Sequence, residues 1–375
     1  MQPKITIIVP VYNVEKYLRE CLDSLMMQTL RDIQIICVND GSADGSRVIL
    51  QEYADLDSRI EIIDKLNGGQ SSARNAAYSS IKGKYTMFVD SDDWIDLDTC
   101  EKLFAEAEQT NAEIIVFFYR KEYHFSSKEP LSRFISPGKK TTPQEKHQLF
   151  IHHLAPWGKF WRSDFLLNHN LVFPEGLIFE DNVVSWQSFT QAEQVFVLPK
   201  PLYHYRNNSN GTTQSYTKKY LDIVPIHNLI LAYLQESGFY TTYKDVFVPH
   251  KLETWKHYYD CTFSLSGRAR FLRLIRESLT EDDRMFYRSE AASAMKPRVL
   301  CFYRGLVDGV WQETMKYYFH EVVKLPERLM KHAIIKPFRA MIENRFRKAV
   351  KTDAKPSIIP LPSQESGNPS KLRVA

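Results

Sequence analysis

The sequence predicts an α/β fold: a mostly parallel sheet with helices on both faces, followed by a helical C-terminal region. Three observations carry this. Short β-branched runs such as Ile5 to Val11 and Ile33 to Val38 lack polar alternation, as strands covered on both faces do. Between the runs lie longer segments whose apolar residues fall on one helical face, which makes βαβ units. The sharp polar residues gather at the carboxyl ends of the runs, where open parallel sheets bind their ligands.

Taken in order, Ile5 to Val11 closes on Pro10, Tyr12 and Asn13, and Glu15 to Gln28 carries Leu18, Cys21, Leu22 and Leu25 on one side. Ile33 to Val38 stops at a glycine-rich loop, Asn39 to Ser46, in which Asp44 reads as a helix cap rather than a ligand. A helix to about Asp55, a strand at Ile60 to Ile63, the Gly68-Gly69 turn and a helix from Ser71 to Ile81 follow. Tyr85 to Val89 is a fourth strand, Asp98 to Gln109 a helix, and Glu113 to Phe118 a fifth strand. Crossovers between such parallel strands are right-handed. From Arg120 to Lys140, Pro130, Pro137-Gly138 and scattered serines predict a loop-rich excursion. Glu180-Asp181 opens a helix to about Ala192, and Val195 to Pro199 and Leu202 to Arg206 predict two more strands.

The stretch MFVDSDDWI, Met87 to Ile95, stands out. An apolar run leads into Asp90, Ser91, Asp92 and Asp93. Three carboxylates in four residues repel one another, and oxygen-only ligands suit a hard divalent ion, Mg2+ or Mn2+, completed by substrate phosphates. The alternative is a solvated acidic turn.

Composition narrows the class. Hydrophobic content of 43% and charged content of 25% are those of a globular protein, and a net charge of +4 does not argue for nucleic acid. Cys21, Cys37, Cys100, Cys261 and Cys301 are scattered without a C-x-x-C pair, which fits a reducing cytosol and neither a zinc site nor a disulfide framework. No apolar run approaches the length of a bilayer span, and no leader precedes the first strand, so the expectation is a cytoplasmic protein, dissolved or lying on a membrane.

Residues 216–351 read as helical. Within them 315–351 holds ten Lys and Arg against three acids, with Tyr, Phe, Ile and Met between. That composition suits an in-plane contact with the inner membrane surface; packing of a basic helical face on the main domain is the other reading. Nucleic acid is disfavoured by the apolar surface beside the charges. Residues 352–375, rich in Pro and Ser, read as a disordered tail.

Seven pieces in order give the chain a family resemblance: VPVYNVEKYLRECLDSLMMQT, VNDGSADGS, NGGQSSARNAA, FVDSDDWI, PWGKFW, FPEGLIFEDNVVSWQ and PLYHYR. Together they cover about residues 4 to 210 and resemble glycosyltransferase family 2, inverting nucleotide-sugar enzymes with a Rossmann-like GT-A domain, here over residues 1–215. The resemblance implies transfer of one sugar from a UDP-sugar donor to a glycan or lipid-linked acceptor, as in lipopolysaccharide, capsule or exopolysaccharide synthesis. No Q-x-x-R-W element is present, which argues against a processive synthase.

It also implies roles. Pro10, Tyr12, Asn13 and Glu15 would face the nucleotide, with Tyr12 able to stack on the base. Asp40 would accept from the uracil N3–H, and Asn67, Gly69 and Arg74 would lie near the diphosphate. Asp90 and Asp92 match the D-x-D motif that holds ribose and metal. Asp181 of the E-D pair would be the general base, although an acidic pair also suits a helix N-terminus for its dipole alone. Trp157, Lys159, Glu180, His204 and Arg206 are candidates for the acceptor side or a lid. The rival readings are a nucleotidyltransferase on a similar sheet, which the non-basic, glycine-free VPVYNVEKY disfavours, and a non-catalytic nucleotide-sugar scaffold.

Overall fold

Alternate residues of the first strand serve two separate cores. In the computed structural model, which describes residues 2–123, 126–128, 135–152, 154–207, 219–262 and 264–310, β1 (Ile5–Val11) sends Ile5, Ile7, Val9 and Val11 to one face and Ile8 to the other. That is the period-2 geometry of a strand covered on both sides. α1 (Glu15–Met26) returns the chain to β2 (Ile33–Asn39), with Leu18, Leu22 and Leu25 buried beneath it. α2 (Ser46–Leu56) leads to β3 (Ile60–Asp64). α3 (Gly69–Ala76) starts at the glycine turn, two residues before the expected Ser71, and ends in a short 3-10 turn. β4 (Tyr85–Phe88) runs into the acidic loop, closed by the two-residue β5 (Trp94–Ile95), and α4 (Thr99–Thr110) follows.

β6 (Ile114–Tyr123) continues five residues past the expected end. It pairs with β7 (Ser126–Lys128), so part of the expected excursion is sheet rather than loop; β8 (Gly138–Lys140) pairs elsewhere. Residues 129–134 lie outside the described residues. α5 (Pro143–His152), β9 (Lys159–Arg162), α6 (Ser163–Asn168) and α7 (Glu180–Gln191) lead to β10 (Val195–Arg206). Where two strands were expected, β10 is one. Pro199 and Pro201 have no N–H to give the ladder, and the pairing with β6 shifts register around them without breaking.

The sheet order is β3-β2-β1-β4-β9-β6-β10-β5, with β7 on β6 and β8 on β10. β1, β2, β3, β4, β6 and β10 share one direction, and β5, β7, β8 and β9 run against them. α1, α2 and α4 cover one face; α3, α5 and α7 cover the other.

The helical C-terminal region begins near residue 219. α8 (Ile223–Glu236) packs on α7 and α9 (Tyr240–Cys261) on α5; α10 (Leu265–Ser278), α11 (Glu281–Arg288) and α12 (Pro297–Cys301) pack in turn on α8 and α9. Trp186 of α7 joins the two parts, its ring 4.2 Å from Phe150 of α5 and 5.2 Å from Phe247 of α9. A buried Lys251–Asp283 pair at 2.7 Å ties α9 to α11. The basic segment 315–351 and the tail 352–375 lie outside the described residues. Among the described residues no helix is long and apolar enough to cross a membrane.

Candidate active site

β1 and β2 end side by side, and short side chains stitch the loops that leave them. Asn13 N–H donates to Ser42 Oγ (3.2 Å), Ala43 N–H to Asn13 Oδ1 (2.8 Å) and Val14 N–H to Ser46 Oγ (3.0 Å). Asn13 adopts a left-handed φ of 49°, which asparagine tolerates. Glu15 accepts the Gly45 N–H at 2.6 Å, which ties the start of α1 to the loop before α2. Asp44 accepts from Glu15 N–H and Ser46 N–H and so holds the loop, but it is not the expected helix cap: Gly45 occupies the N-cap position of α2, without a side-chain cap. Pro10 is half-buried beside this edge, and the Tyr12 ring is 52% exposed on it.

Asp40 ends β2 and is buried. Its carboxylate accepts from Lys65 Nζ (2.7 Å), Gly68 N–H (2.9 Å) and Gly69 N–H (2.8 Å), which fixes the turn into α3. Gly69 sits at φ 86° there, and Asn67 is exposed on the same turn. The first three strand ends thus form one continuous polar edge.

The acidic loop is held from β10. Asp90 N–H donates to the Tyr203 hydroxyl (3.1 Å), which donates to Asp93 Oδ2 (2.7 Å), and Arg206 N–H donates to Asp93 Oδ1 (2.7 Å). Burial pushes the Asp93 carboxyl well up, with the charges of Asp92 and Asp90 adding to the effect. Arg206 pairs with Glu20, donates from Nε to the Asp92 carbonyl (2.8 Å) and lies 4.5 Å over Trp94. His204 stacks on Trp94 at 5.0 Å, and its two ring nitrogens face Glu122 (2.9 Å) and Asp96 (2.8 Å). Trp157 stacks on Tyr203 at 4.9 Å. His204, Arg206 and Trp157 therefore frame the acidic loop through existing contacts.

Arg74 links this loop to α7. Its buried guanidinium donates to Asp90 (2.9 Å) and to Glu180 (2.8 Å), with the Phe173 ring 5.2 Å away. Burial alone would lower the arginine's pKa, but Asp90 and Glu180 outweigh it and hold the cation more firmly charged. Asn75, one residue on, donates to the Phe173 carbonyl (2.8 Å) and accepts the Phe173 N–H (3.0 Å), which pins the loop before α7.

Glu180 is buried in its pairing with Arg74. Asp181 is half-buried and accepts the Asn182 N–H at 3.0 Å. Burial pushes the Asp181 carboxyl up to about 7; Glu180 adds to this, and Lys159 and Arg74 oppose it. Lys159 is fully buried, donates to the Ala155 carbonyl and has its amine pushed down by burial, with Asp181 pulling it partly back. A carboxylate tuned near neutrality suits proton abstraction at physiological pH.

Several residues around the site were not singled out in the sequence. Tyr203, the hub of the acidic loop, is a tyrosine within an apolar-aromatic strand and gives no local signal. Phe179, just before α7, adopts φ 69°, a conformation that costs a bulky residue ~1–3 kcal/mol. Without a glycine or asparagine there, nothing in the sequence marks it.

The oxygen donors of Asp90 and Asp92 suit a hard divalent ion, whereas Asp93 is committed to Tyr203 and Arg206. Among the described residues no group of three or more His, Cys, Asp or Glu is arranged to hold a metal by itself. The residues present therefore fit an ion held by one or two carboxylates and completed by donor phosphates.

The family model for glycosyl transferase family 2 matches residues 6–166. The glycosyltransferase EpsJ of Bacillus subtilis strain 168 is 37% identical over 252 residues, which is 65% of this chain and 71% of EpsJ. TarS of Staphylococcus aureus strain MW2, a poly(ribitol-phosphate) β-N-acetylglucosaminyltransferase, is 28% identical over 218 residues; the match covers 56% of this chain and 37% of TarS. The structure of TarS 1–349 in complex with UDP-GlcNAc is similar at a TM-score of 0.54 and 22% identity, over 72% of this chain and 83% of that one. The mannosyltransferase PcManGT of Pyrobaculum calidifontis, in complex with GDP-Man and Mn2+, is similar at a TM-score of 0.51 and 12% identity, over 83% of this chain and 88% of that one. The shared fold is the GT-A arrangement expected from the motifs.

Proposed function

Since the chain belongs to glycosyltransferase family 2, we propose that it moves one sugar from a UDP-sugar to an acceptor hydroxyl, with inversion, in the synthesis of a cell-surface polysaccharide. The observation that carries this reading is Arg74, whose guanidinium joins Asp90 of the acidic loop to Glu180, the residue before Asp181. It supports a single site with a donor pole and a base pole.

In this reading the uridine lies along the ends of β1, β2 and β3, against Tyr12 and near Asp40. Asp90 and Asp92 hold the ribose-diphosphate side and would hold a divalent cation, Mn2+ or Mg2+, which would supply positive charge to the leaving diphosphate. TarS, solved with UDP-GlcNAc, supports the uridine, and PcManGT, solved with Mn2+, supports the divalent ion. Asp181 takes the proton of the acceptor hydroxyl. That oxygen forms its bond to the anomeric carbon on the face opposite the breaking bond to phosphate, and UDP departs with the bonding pair. The glycan or lipid-linked acceptor enters from the α7 side. The basic, aromatic composition of 315–351 supports contact with an anionic membrane surface carrying such an acceptor.

A thermal-stability series with UDP, GDP, CMP and their sugar conjugates, each with Mn2+, Mg2+ or EDTA, tests the reading, because a ligand that binds only the folded state raises its melting temperature. A metal-dependent rise with UDP and one UDP-sugar is expected. A rise with GDP- or CMP-sugars alone, or none with any nucleotide, contradicts it.

A further inference from the structure

The helices that follow residue 219 reach the candidate base from the side opposite the sheet. Phe179 precedes Glu180 and Asp181 and is held in the left-handed region at φ 69°. Its ring packs 4.7 Å from Tyr258 of α9, and Tyr258 packs 5.2 Å from Tyr220. One residue earlier, Ile178 N–H donates to Asp222 Oδ2 at 3.2 Å. The entry to α7 is therefore gripped twice by the C-terminal region, while Glu180 is gripped by Arg74 of α3.

We propose that Tyr258, acting through Phe179, is a positioning residue for Asp181, so that the C-terminal helices help to aim and shield the base. The inference rests on the reading of Asp181 as base. Backbone strain at a bulky residue persists only where surrounding contacts over-determine it, and here those contacts are aromatic and come from α9. The charged groups around Asp181 are Glu180 on α7, Lys159 on β9 and Arg74 on α3. Tyr258 is within their electrostatic reach: burial and then the Asp181 charge hold its hydroxyl up at about 12.

The test uses the full chain with its UDP-sugar and acceptor. Tyr258→Leu keeps apolar bulk and removes the ring, and Phe179→Gly removes the other ring while suiting the left-handed backbone. Both are expected to lower kcat by about 10- to 100-fold, since small displacements of a reacting group cost that much, with donor affinity unchanged. The pH midpoint of kcat should move down as the carboxylate gains solvent, and Tyr258→Phe should restore both. Wild-type kcat and midpoint in Phe179→Gly, with Asp181→Asn inactive, would overturn the inference and leave the base reading intact. Activity in Asp181→Asn would sink that reading and the inference with it. Should Tyr258→Leu fail to fold, Phe179→Gly decides alone.

Discussion

Arg74 and Glu180 lie 106 positions apart and meet at 2.8 Å, buried, while the other arm of the same guanidinium reaches Asp90 at 2.9 Å. One arginine thus fixes the distance between the acidic loop and the first turn of α7. Removing one member of a buried pair leaves the other charge without compensation. Arg74→Ala should cost about 3–5 kcal/mol of stability. Arg74→Lys should also lose stability, because a single ammonium cannot serve two carboxylates in fork geometry. A urea unfolding midpoint unchanged in Arg74→Ala would contradict this placement.

Asp92 is the second carboxylate of the D-x-D pair, two residues after Asp90, which Arg74 holds in place. Asp92→Asn should abolish the gain in UDP affinity that Mn2+ gives the wild type, a loss of about tenfold or more, equivalent to about 1.4 kcal/mol. Calorimetric titration with and without EDTA measures it. Equal Mn2+ dependence in variant and wild type would remove Asp92 from the metal role.

The Asp181 carboxyl, held up to about 7, makes two opposite pH predictions. Activity needs the charged form, so kcat should rise through about pH 7. Stability behaves inversely: a raised folded pKa favours the protonated state, so the contribution is full below the ordinary carboxylate range and is lost as pH rises through 7. Asp181→Asn should therefore stabilise the protein at pH 8 by about 1–2 kcal/mol, less than the full shift because solvent reaches the carboxylate. At pH 4 it should bring no gain. Paired melting curves at the two pH values check this.

The Arg206 side chain braces the acidic loop from outside the buried Asp93–Tyr203 network, which only its backbone N–H joins. Arg206→Ala should raise the donor KM several-fold through a loosened Asp92 backbone. The cost in stability should be about 1 kcal/mol, as for a partly exposed hydrogen bond to a charged group. A variant with wild-type donor KM would show that the loop keeps its shape unaided.

Much of this architecture was legible in the sequence, and the illegible parts have physical reasons. Strands covered on both faces, such as β1 and β2, announce themselves by unbroken apolar runs, and their polar termini marked the edge at which the candidate site lies. β10 read as two strands because Pro199 and Pro201 mimic a break, yet its neighbours carry the ladder past them. The end of β6 was missed because Arg120 to Glu122 are not apolar, although they pair in register with His204 to Arg206. Asp90, Asp92 and Asp181 were picked from motifs, but the Arg74–Glu180 contact was not, since no local pattern encodes a pairing across 106 positions. Lys159, expected near the acceptor, is fully buried, within electrostatic reach of the Asp181 carboxylate. The left-handed Phe179 and its partner Tyr258 carry no turn residue to betray them.

The most direct test of the whole account is a comparison of wild type and Asp181→Asn at pH 7.5, measuring UDP-sugar affinity and acceptor-dependent UDP release on the same preparations. The account predicts equal metal-dependent affinity and release reduced by at least about a thousandfold, the order expected when a positioned base is removed. Release at near wild-type rate, or donor affinity lost together with release, would contradict a site in which Asp90 and Asp92 hold the donor and Asp181 takes the proton.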